Sequence, residues 1–532
     1  MIFCRIAVVA IGASRVVAAL VTRHSRTVHE EEPTSFERFG QAIGLSPQHI
    51  ELLGQQYAKV EGDTDDIVQV ACLTAEAVIG QEHVDTLPLN QTVVEENWSA
   101  TCVAEPHCIL APVNATDVSR ALQIITYFNT TFAVRSGGHS PNPGASSVGG
   151  RGILLDLQYL NAIGLSQDRS VAHVGPGARW GEVYNVLDAS QAVVIGGRLP
   201  SVGVGGLMLG GGYFHLSDQF GLAADNLAAA EVVLANGTIV TASPESNRHL
   251  WWALKGGGPN YGIVTRYDLN TVPVYEVWGM TLAFSLDQWD DAYAAFHQWQ
   301  TVGAKDAKSS AAITASLTSI TISLMYSEPA DAPDAFAPFF DLGGMPVVGP
   351  LNTTLAMVAE LLGTISASSA KRHDYRGCSS LIDANLTSSV YAFWRERALE
   401  VNEATGAVQT FTIQHVAASL VDYGNQRGGN PLGLPTGTDL QWWTTLIDWD
   451  DAASDDTVHA VSAETTALWA ELGASRGSAV DFVYLNDASR DQNPLASYGA
   501  ENLSRLRAIS REYDPEQVFQ KLQNGGFLLS RA

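Results

Sequence analysis

Two glycine turns carry the residues best suited to chemistry. The first, Arg135-Ser136-Gly137-Gly138-His139-Ser140, follows the apolar run Phe132 to Val134. The second runs from Gly196 to Gly212 and contains Ser201-Val202-Gly203-Val204-Gly205-Gly206 and Gly210-Gly211-Gly212. Glycines let the backbone take φ > 0 and gather several N–H groups around one anion. Two such turns in one domain point to a ligand with a long, phosphate-bearing spine. His139, closing the first turn, adds an imidazole nucleophile and is the expected carrier of that ligand.

The elements that must hold these turns follow from periodicity. Cys108 to Pro112 reads as a strand, Asp117 to Phe128 as a helix with Val118, Leu122, Ile125 and Phe128 on one face, and Phe132 to Val134 as the next strand. Strand, helix, strand and glycine turn make a right-handed β-α-β unit aimed at a ligand. Further strands are expected at Ile153 to Leu157, Val171 to Val174 and Val193 to Ile195, with a helix over Trp180 to Leu187. Asn236-Gly237 between two strand-like runs is a hairpin signal. The texture changes near Val274: strand-like segments and helices from Met280 to Asp448 predict a second, antiparallel sheet with covering helices. Pro329 to Thr353, rich in proline and glycine, reads as surface loops. Val483 to Asn486 reads as a strand and Asn502 to Glu512 as an amphipathic helix.

The chain has 532 residues, enough for two or three domains with large cores. A formal charge of -26 disfavours nucleic acid, whose phosphates would be repelled. Met1 to about Thr22 has the basic start and apolar run of a secretory leader, interrupted by Arg15, and is too short to span a membrane. Asn-x-Ser/Thr acceptors at Asn90, Asn97, Asn114, Asn129, Asn236, Asn352, Asn385 and Asn502 fit a secreted glycoprotein. Cys4 would leave with the leader. The other cysteines lack metal-ligand spacing, so no metal site is expected. A disulfide within Cys72, Cys102 and Cys108 is the better reading, buried thiols the other.

Two nucleotide-binding alternatives fail. Met208 stands where Gly-x-Gly-x-x-Gly needs its third glycine, and the P-loop pattern is absent. Arg135-Ser136-Gly137-Gly138-His139 instead resembles the flavin-attachment motif of the FAD-linked oxidases related to vanillyl-alcohol oxidase and p-cresol methylhydroxylase, in the berberine-bridge-enzyme-like branch of fungal type. Further similar blocks follow in that family's order: Gly175-Pro176-Gly177-Ala178-Arg179-Trp180, Val202-Gly203-Val204-Gly205-Gly206, Asp225-Asn226, Leu250 to Gly258, Tyr261-Gly262-Ile263-Val264-Thr265, Tyr484-Leu485-Asn486 and Tyr498 to Asn502. The resemblance implies an α+β fold: a two-part FAD-binding domain of p-cresol methylhydroxylase type with an inserted antiparallel-sheet substrate domain. The boundaries expected are 1–22 leader, 23–273 FAD-binding domain, 274–480 substrate domain and 481–532 return to the FAD-binding domain. It also implies FAD contacts from Arg135, Ser136, Gly137, Gly138, Ser140, Ser201, Val202, Gly203, Gly205, Gly206, Gly262, Ile263, Val264, Tyr484 and Asn486.

In that family the matching histidine bonds the flavin 8α-methyl, so His139 is expected to do so here. Leu199 stands where bicovalent members carry a second attaching cysteine, so one bond is expected. Val202 matches a position that gates oxygen; a packed β-branched residue is the alternative. Tyr213 matches an active-site tyrosine or is a packed aromatic. Related enzymes commonly read Tyr-x-Asn-Tyr near the C-terminus, with the second tyrosine as base; this chain reads Tyr484-Leu485-Asn486-Asp487. Asp487 is therefore either a substitute base with a raised pKa or a solvated loop residue. Trp442, Thr444 and Leu446 share one strand face, where Trp442 stacks on a sugar or aromatic substrate or packs in the core. The expectation is a secreted, monomeric oxidase that moves a hydride from an alcohol or hemiacetal carbon to flavin and then to oxygen. The alternatives are a secondary-metabolite tailoring oxidase or oxidative cyclase, and a flavin-loaded glycoprotein with little turnover.

Overall fold

The computed structural model describes residues 34–60, 64–365 and 368–532; the expected leader, 1–22, lies outside the described residues. The apolar runs Cys108–Leu110 and Thr131–Arg135 both pair in parallel with Gly152–Asp156, which lies between them. Val84–Thr86 closes the other edge antiparallel to Cys108–Leu110. The helix Ala115–Phe128 starts where the Asn114 side chain accepts the Asp117 N–H and ends at Asn129 in the left-handed region. Val118, Leu122, Ile125 and Phe128 face inward, as their spacing predicts. Three leading helices, Ser35–Ile43, Pro47–Val60 and Thr64–Ile79, pack on this core, and a Cys72–Cys108 disulfide ties the third to the sheet. Cys102 and Cys378 are thiols.

A second, antiparallel sheet runs Ile163–Leu165, Val171–Val174, Ile263–Val272, Leu227–Val233 and Ile239–Ala242, with Val193–Val194 also on Ile263–Val272. Leu227–Val233 and Ile239–Ala242 form the hairpin that Asn236-Gly237 predicts, with Gly237 at φ 80°.

The inserted sheet has nine antiparallel strands. Its order is Met345–Thr354, Glu276–Phe284, Ile320–Tyr326, Ser309–Ala315, Phe411–Val416, Leu440–Trp449, Arg372–Leu381 and Ala479–Val480, with Val408–Gln409 beside Leu440–Trp449. Helices Trp289–Thr301, Ala384–Thr405 and Asp455–Arg476 cover one face, burying Trp289, Trp299, Trp394, Trp443 and Trp469. The period of two then sends Thr412, Thr444 and Leu446 to the opposite face, toward the glycine turns. Past the insert the chain returns. Phe132 N–H donates to the Leu522 carbonyl at 2.9 Å and Asn524 N–H to the Phe132 carbonyl at 2.7 Å, so the C-terminal segment extends the first sheet.

Two expectations need correction. Within Pro329 to Thr353, Met345–Thr354 is a strand rather than loop. It is the sheet's edge, the place in a sheet that tolerates prolines such as Pro346 and Pro350, because one side of the strand has no ladder to break. Val483 to Asn486 is not a strand: Leu485–Asp487 is a 3₁₀ turn, closed by Asp487 N–H to the Tyr484 carbonyl at 3.1 Å. A strand would alternate its side chains, whereas this turn sets Tyr484, Leu485, Asn486 and Asp487 all on one cavity wall. The sequon Asn97 is also committed to the fold, since its buried Nδ2 donates to the Cys102 carbonyl at 3.2 Å. Among the described residues no helix is long and apolar enough to cross a membrane.

Arg135 and Asp156 end the paired strands opposite one another, each 1% exposed, and Arg135 Nε donates to Asp156 Oδ2 at 3.0 Å. Removing one partner strands a buried charge. Asp156→Ala is expected to lower stability by about 3–5 kcal/mol, read as a shifted urea midpoint.

Candidate active site

The two glycine turns form one structure. A Cβ on Gly137 would lie 2.4 Å from Gly203 Cα, so neither position admits a side chain. Arg179 Nη1 donates to the Gly137 carbonyl at 2.9 Å and to the Ser201 carbonyl at 2.6 Å, pulling the turns together. Ser136 Oγ donates to the Pro176 carbonyl and accepts the Gly205 N–H at 3.1 Å. Gly210 presses on Asn486, whose Nδ2 donates to the Leu207 carbonyl at 3.0 Å, so the C-terminal return holds the second turn.

Between these turns, the C-terminal glycines Gly525 and Gly526 and the open face of the inserted sheet lies a cavity of about 1030 Å³. At that volume the cavity has room for more than a single drug-sized molecule. A Cβ on Gly206, on the cavity wall, would meet nothing within 4 Å, so space remains there for a ligand. Asn142 also lines the cavity; its Nδ2 is bonded to the Ala488 carbonyl at 2.9 Å and its buried Oδ1 has no protein partner, as a wall meant to accept a ligand N–H would.

His139 stands at one end. Its Nε2 is 3.2 Å from Ser201 Oγ and its Nδ1 3.2 Å from the Tyr375 hydroxyl. The ring lies parallel to Trp98, with centroids 4.4 Å apart. Burial lowers its pKa to about 4, and the nearby Arg179 charge acts the same way, so the imidazole is neutral at physiological pH. A neutral ring keeps one nitrogen lone pair untaken by a proton, facing a hydroxyl.

Asp487, partly buried, lines the same cavity. Burial lifts its carboxyl to about 6, while the Arg198 guanidinium and the Gln414 amide oppose the rise. Arg198 Nη1 donates to Gln414 Oε1 at 2.6 Å, and its guanidinium lies 5.3 Å from the Tyr213 ring centroid. Tyr213 spends its hydroxyl on the His415 carbonyl at 2.7 Å and gives its backbone N–H to the Tyr484 oxygen at 2.8 Å. That oxygen also accepts Asn486 Nδ2 at 3.0 Å. Burial holds both phenols above their ordinary range.

Of the residues expected around the ligand, Ser136, Gly137, Gly138, His139, Ser140, Val202, Gly203, Gly206, Tyr213, Tyr484, Asn486 and Asp487 line the cavity, as does Leu199. Others stand behind the wall. Arg135 is paired with Asp156, Gly205 packs on Ser136, and Ser201 reaches the site only through His139. Gly262, Ile263 and Val264 begin a buried strand against Leu227–Val233. Trp442 is buried, 4.7 Å from the Tyr484 ring in parallel stacking, so it is core that supports Tyr484. The sequence reading missed Arg198, Tyr375, Gln414 and Trp98. Arg198 was visible beside Leu199 in the turn; Tyr375 enters only through its register opposite Leu446, which no local pattern encodes.

Residues 106–243 match the FAD binding domain family. An FAD-dependent monooxygenase of Arthrobotrys oligospora is 35% identical over 464 residues, covering 87% of this chain and 90% of that protein. The bifunctional solanapyrone synthase of Alternaria solani is 30% identical, over 94% of this chain and 95% of that one. Among solved structures, the xylooligosaccharide oxidase of Myceliophthora thermophila superposes with a TM-score of 0.71 at 21% identity, covering 86% of this chain and 98% of that one. The glucooligosaccharide oxidase of Acremonium strictum, described with a 6-S-cysteinyl, 8α-N1-histidyl FAD, superposes at 0.68 and 19% identity, over 80% and 92%. Fold and cavity define a flavin-dependent oxidoreductase. The chain belongs to the family of these FAD-dependent fungal enzymes, and its fold is that of the berberine-bridge-enzyme-like oxidases.

The Asp487 shift has a consequence for stability. Its folded pKa lies above the unfolded value, so the native state holds the extra proton and loses stability as pH rises from about 4 to 6. Asp487→Asn removes that loss. The variant is expected to be more stable than the parent at pH 8 by roughly 2–3 kcal/mol and to lose the advantage near pH 4, measured by urea denaturation at both pH values.

Proposed function

We propose that this chain is a monocovalent FAD-dependent oxidase that oxidises a hydroxyl-bearing carbon of a small molecule, with Asp487 as its base. The observation that carries the reading is a partly buried carboxylate lining the same cavity as His139, with the Arg198 guanidinium and the Gln414 amide beside it. When bound, FAD would take a hydride from the substrate carbon and pass the electrons to oxygen, giving hydrogen peroxide. Asp487, ionised above about pH 6, takes the hydroxyl proton as that carbon is oxidised. Tyr484 already accepts two N–H bonds, so its own hydrogen is left to orient the substrate oxygen. Thr412, Thr444 and Leu446 give the substrate side a mixed, mildly apolar floor.

His139 carries the cofactor through a single bond in this reading, since Leu199 has no sulfur to supply a second. Val202 on the cavity wall leaves oxygen room to reach the flavin. Relatives named as monooxygenases and as a solanapyrone synthase, at 30–35% identity, favour tailoring of a metabolite. The carbohydrate oxidases share the fold at about 20% identity, and Trp442, the residue best suited to stack on a sugar, is buried behind Tyr484. Secretion belongs to the same proposal and rests on the leader pattern, the sequons and the Cys72–Cys108 disulfide.

Anaerobic mixing with a panel of alcohols, hydroxylated aromatics and sugars tests the reading, with peroxide assayed on readmitting air. Asp487→Asn is expected to slow flavin bleaching about 10²–10⁴-fold and to erase an inflection near pH 6. Unchanged bleaching in that variant removes Asp487 as base. Substrate-derived product carrying labelled oxygen, without peroxide, turns the reading to a monooxygenase. Separately, His139→Ala should release all flavin on denaturation while the parent retains it; retention in the variant refutes the single His139 bond.

A further inference from the structure

The strongest unassigned feature is a clasp from outside the matched FAD-binding region. The segment Asn97 to Cys102 precedes residues 106–243, yet it touches both halves of the site. Trp98 N–H donates to the Gly138 carbonyl at 2.9 Å, fastening the segment to the first glycine turn one residue before His139. Ser99 Oγ donates to the His373 carbonyl at 3.0 Å and accepts the His373 N–H at 2.8 Å, while Ala100 N–H donates to the Lys371 carbonyl at 2.7 Å. The clasp thus hydrogen-bonds to the inserted sheet as well. At its centre the Trp98 indole lies parallel to three rings: His373 at 4.0 Å and 7°, His139 at 4.4 Å and 12°, and Tyr375 at 5.0 Å and 28°. His373 is itself fixed, with Nδ1 2.7 Å from Asp448 Oδ1.

We propose that Trp98 is a positioning residue that sets the plane of the His139 ring for its bond to the flavin, with His373 and Asp448 bracing the indole. The inference rests on His139 being the attachment point. A histidine at the end of a glycine turn has two free torsions and little backbone restraint. The Ser201 and Tyr375 hydroxyls fix where the ring nitrogens point, but at 3.2 Å each both bonds are at the long end and leave the ring plane some freedom. A parallel indole face removes that last freedom. The C–N bond would replace a C–H bond of the flavin methyl group, the C–H and imidazole N–H protons leaving and the electron pair passing to the flavin ring and then to oxygen. It needs the nitrogen lone pair aligned as well as near, and small misplacements cost orders of magnitude in rate. Trp98 touches no reacting atom in this account; it acts through His139.

The test follows attachment rather than turnover. Protein produced under riboflavin limitation is given FAD, and samples are denatured at intervals to measure flavin retained on the chain. The parent should accumulate retained flavin. Trp98→Leu should bind FAD with unchanged native absorbance but retain it ten- to hundredfold more slowly. Trp98→Phe, which restores a flat ring, should recover most of the rate, and Asp448→Asn should slow it several-fold. Parental retention in Trp98→Leu overturns the proposal. If Trp98→Leu fails to bind FAD at all, Asp448→Asn and Trp98→Phe decide: an unslowed Asp448→Asn overturns it, and a slowed one with a near-parental Trp98→Phe sustains it. His139→Ala separates the two levels. Flavin retained there refutes the attachment reading itself, whereas release there with rapid retention in Trp98→Leu refutes only the role of Trp98.

Discussion

Everything in the site depends on two backbone turns meeting with no side chain between them. Gly137 and Gly203 approach so closely that a Cβ on either would collide with the other's main chain. Such contact brings exposed N–H and carbonyl groups together, and those must be satisfied. Arg179 does this for two carbonyls at once, and the Ser136 hydroxyl bridges Pro176 and Gly205. The glycine motif is therefore first a packing requirement; the ligand-facing surface follows from it. Gly206, one turn further on, is the position where the same backbone opens onto empty space.

The second constraint is that the cavity is closed by segments distant in sequence. Tyr484 and the 3₁₀ turn Leu485–Asp487 bring four consecutive side chains to the cavity, and the C-terminal glycines reach the site only because the chain end pairs beside Phe132. Each closure removes water, and removal of water is what shifts the two titrating groups. It disfavours charge on both, lowering His139 to about 4 and lifting Asp487 to about 6. The same desolvation thus yields a neutral imidazole and an ionised carboxylate together above about pH 6, the pair of states that the proposed attachment and proton removal require. Arg198 limits the Asp487 rise; without its charge nearby, the carboxyl would stay protonated further into the neutral range.

How much of this the sequence displayed depended on the range of the interaction. The helix Ala115–Phe128, the Asn236-Gly237 hairpin and the glycine turns are local, and their residues announce them through spacing, caps and φ. The ordered motif blocks carried the family and the two-part fold. Met345–Thr354 was hidden because its prolines read as loop, and only a position at the sheet edge makes them harmless. Val483 to Asn486 looked like a strand because its composition is apolar and β-branched; the partner that would make it one is missing, since the chain bends there to reach the cavity. Arg135 and Trp442 carried plausible functional signals yet serve the core, as a buried ion pair and a stacking support.

The residues least visible in the sequence are those whose neighbours come from another sheet. Tyr375 faces His139 because Arg372–Leu381 runs antiparallel to Leu440–Trp449 in one register; a slip of one residue would send it to the helix-covered face. Trp98 sits in a segment with no regular structure to predict, and its partners are 41, 275 and 277 residues away along the chain, at His139, His373 and Tyr375. The surroundings of His139 thus draw on both halves of the protein even though its motif belongs to one. The inserted domain does more than shape a substrate floor: its strand residues and the clasp bonded to it set the surroundings of the histidine that the other domain supplies. Under the proposed attachment, a cofactor bond at that junction ties the order of the first glycine turn to correct docking of the insert.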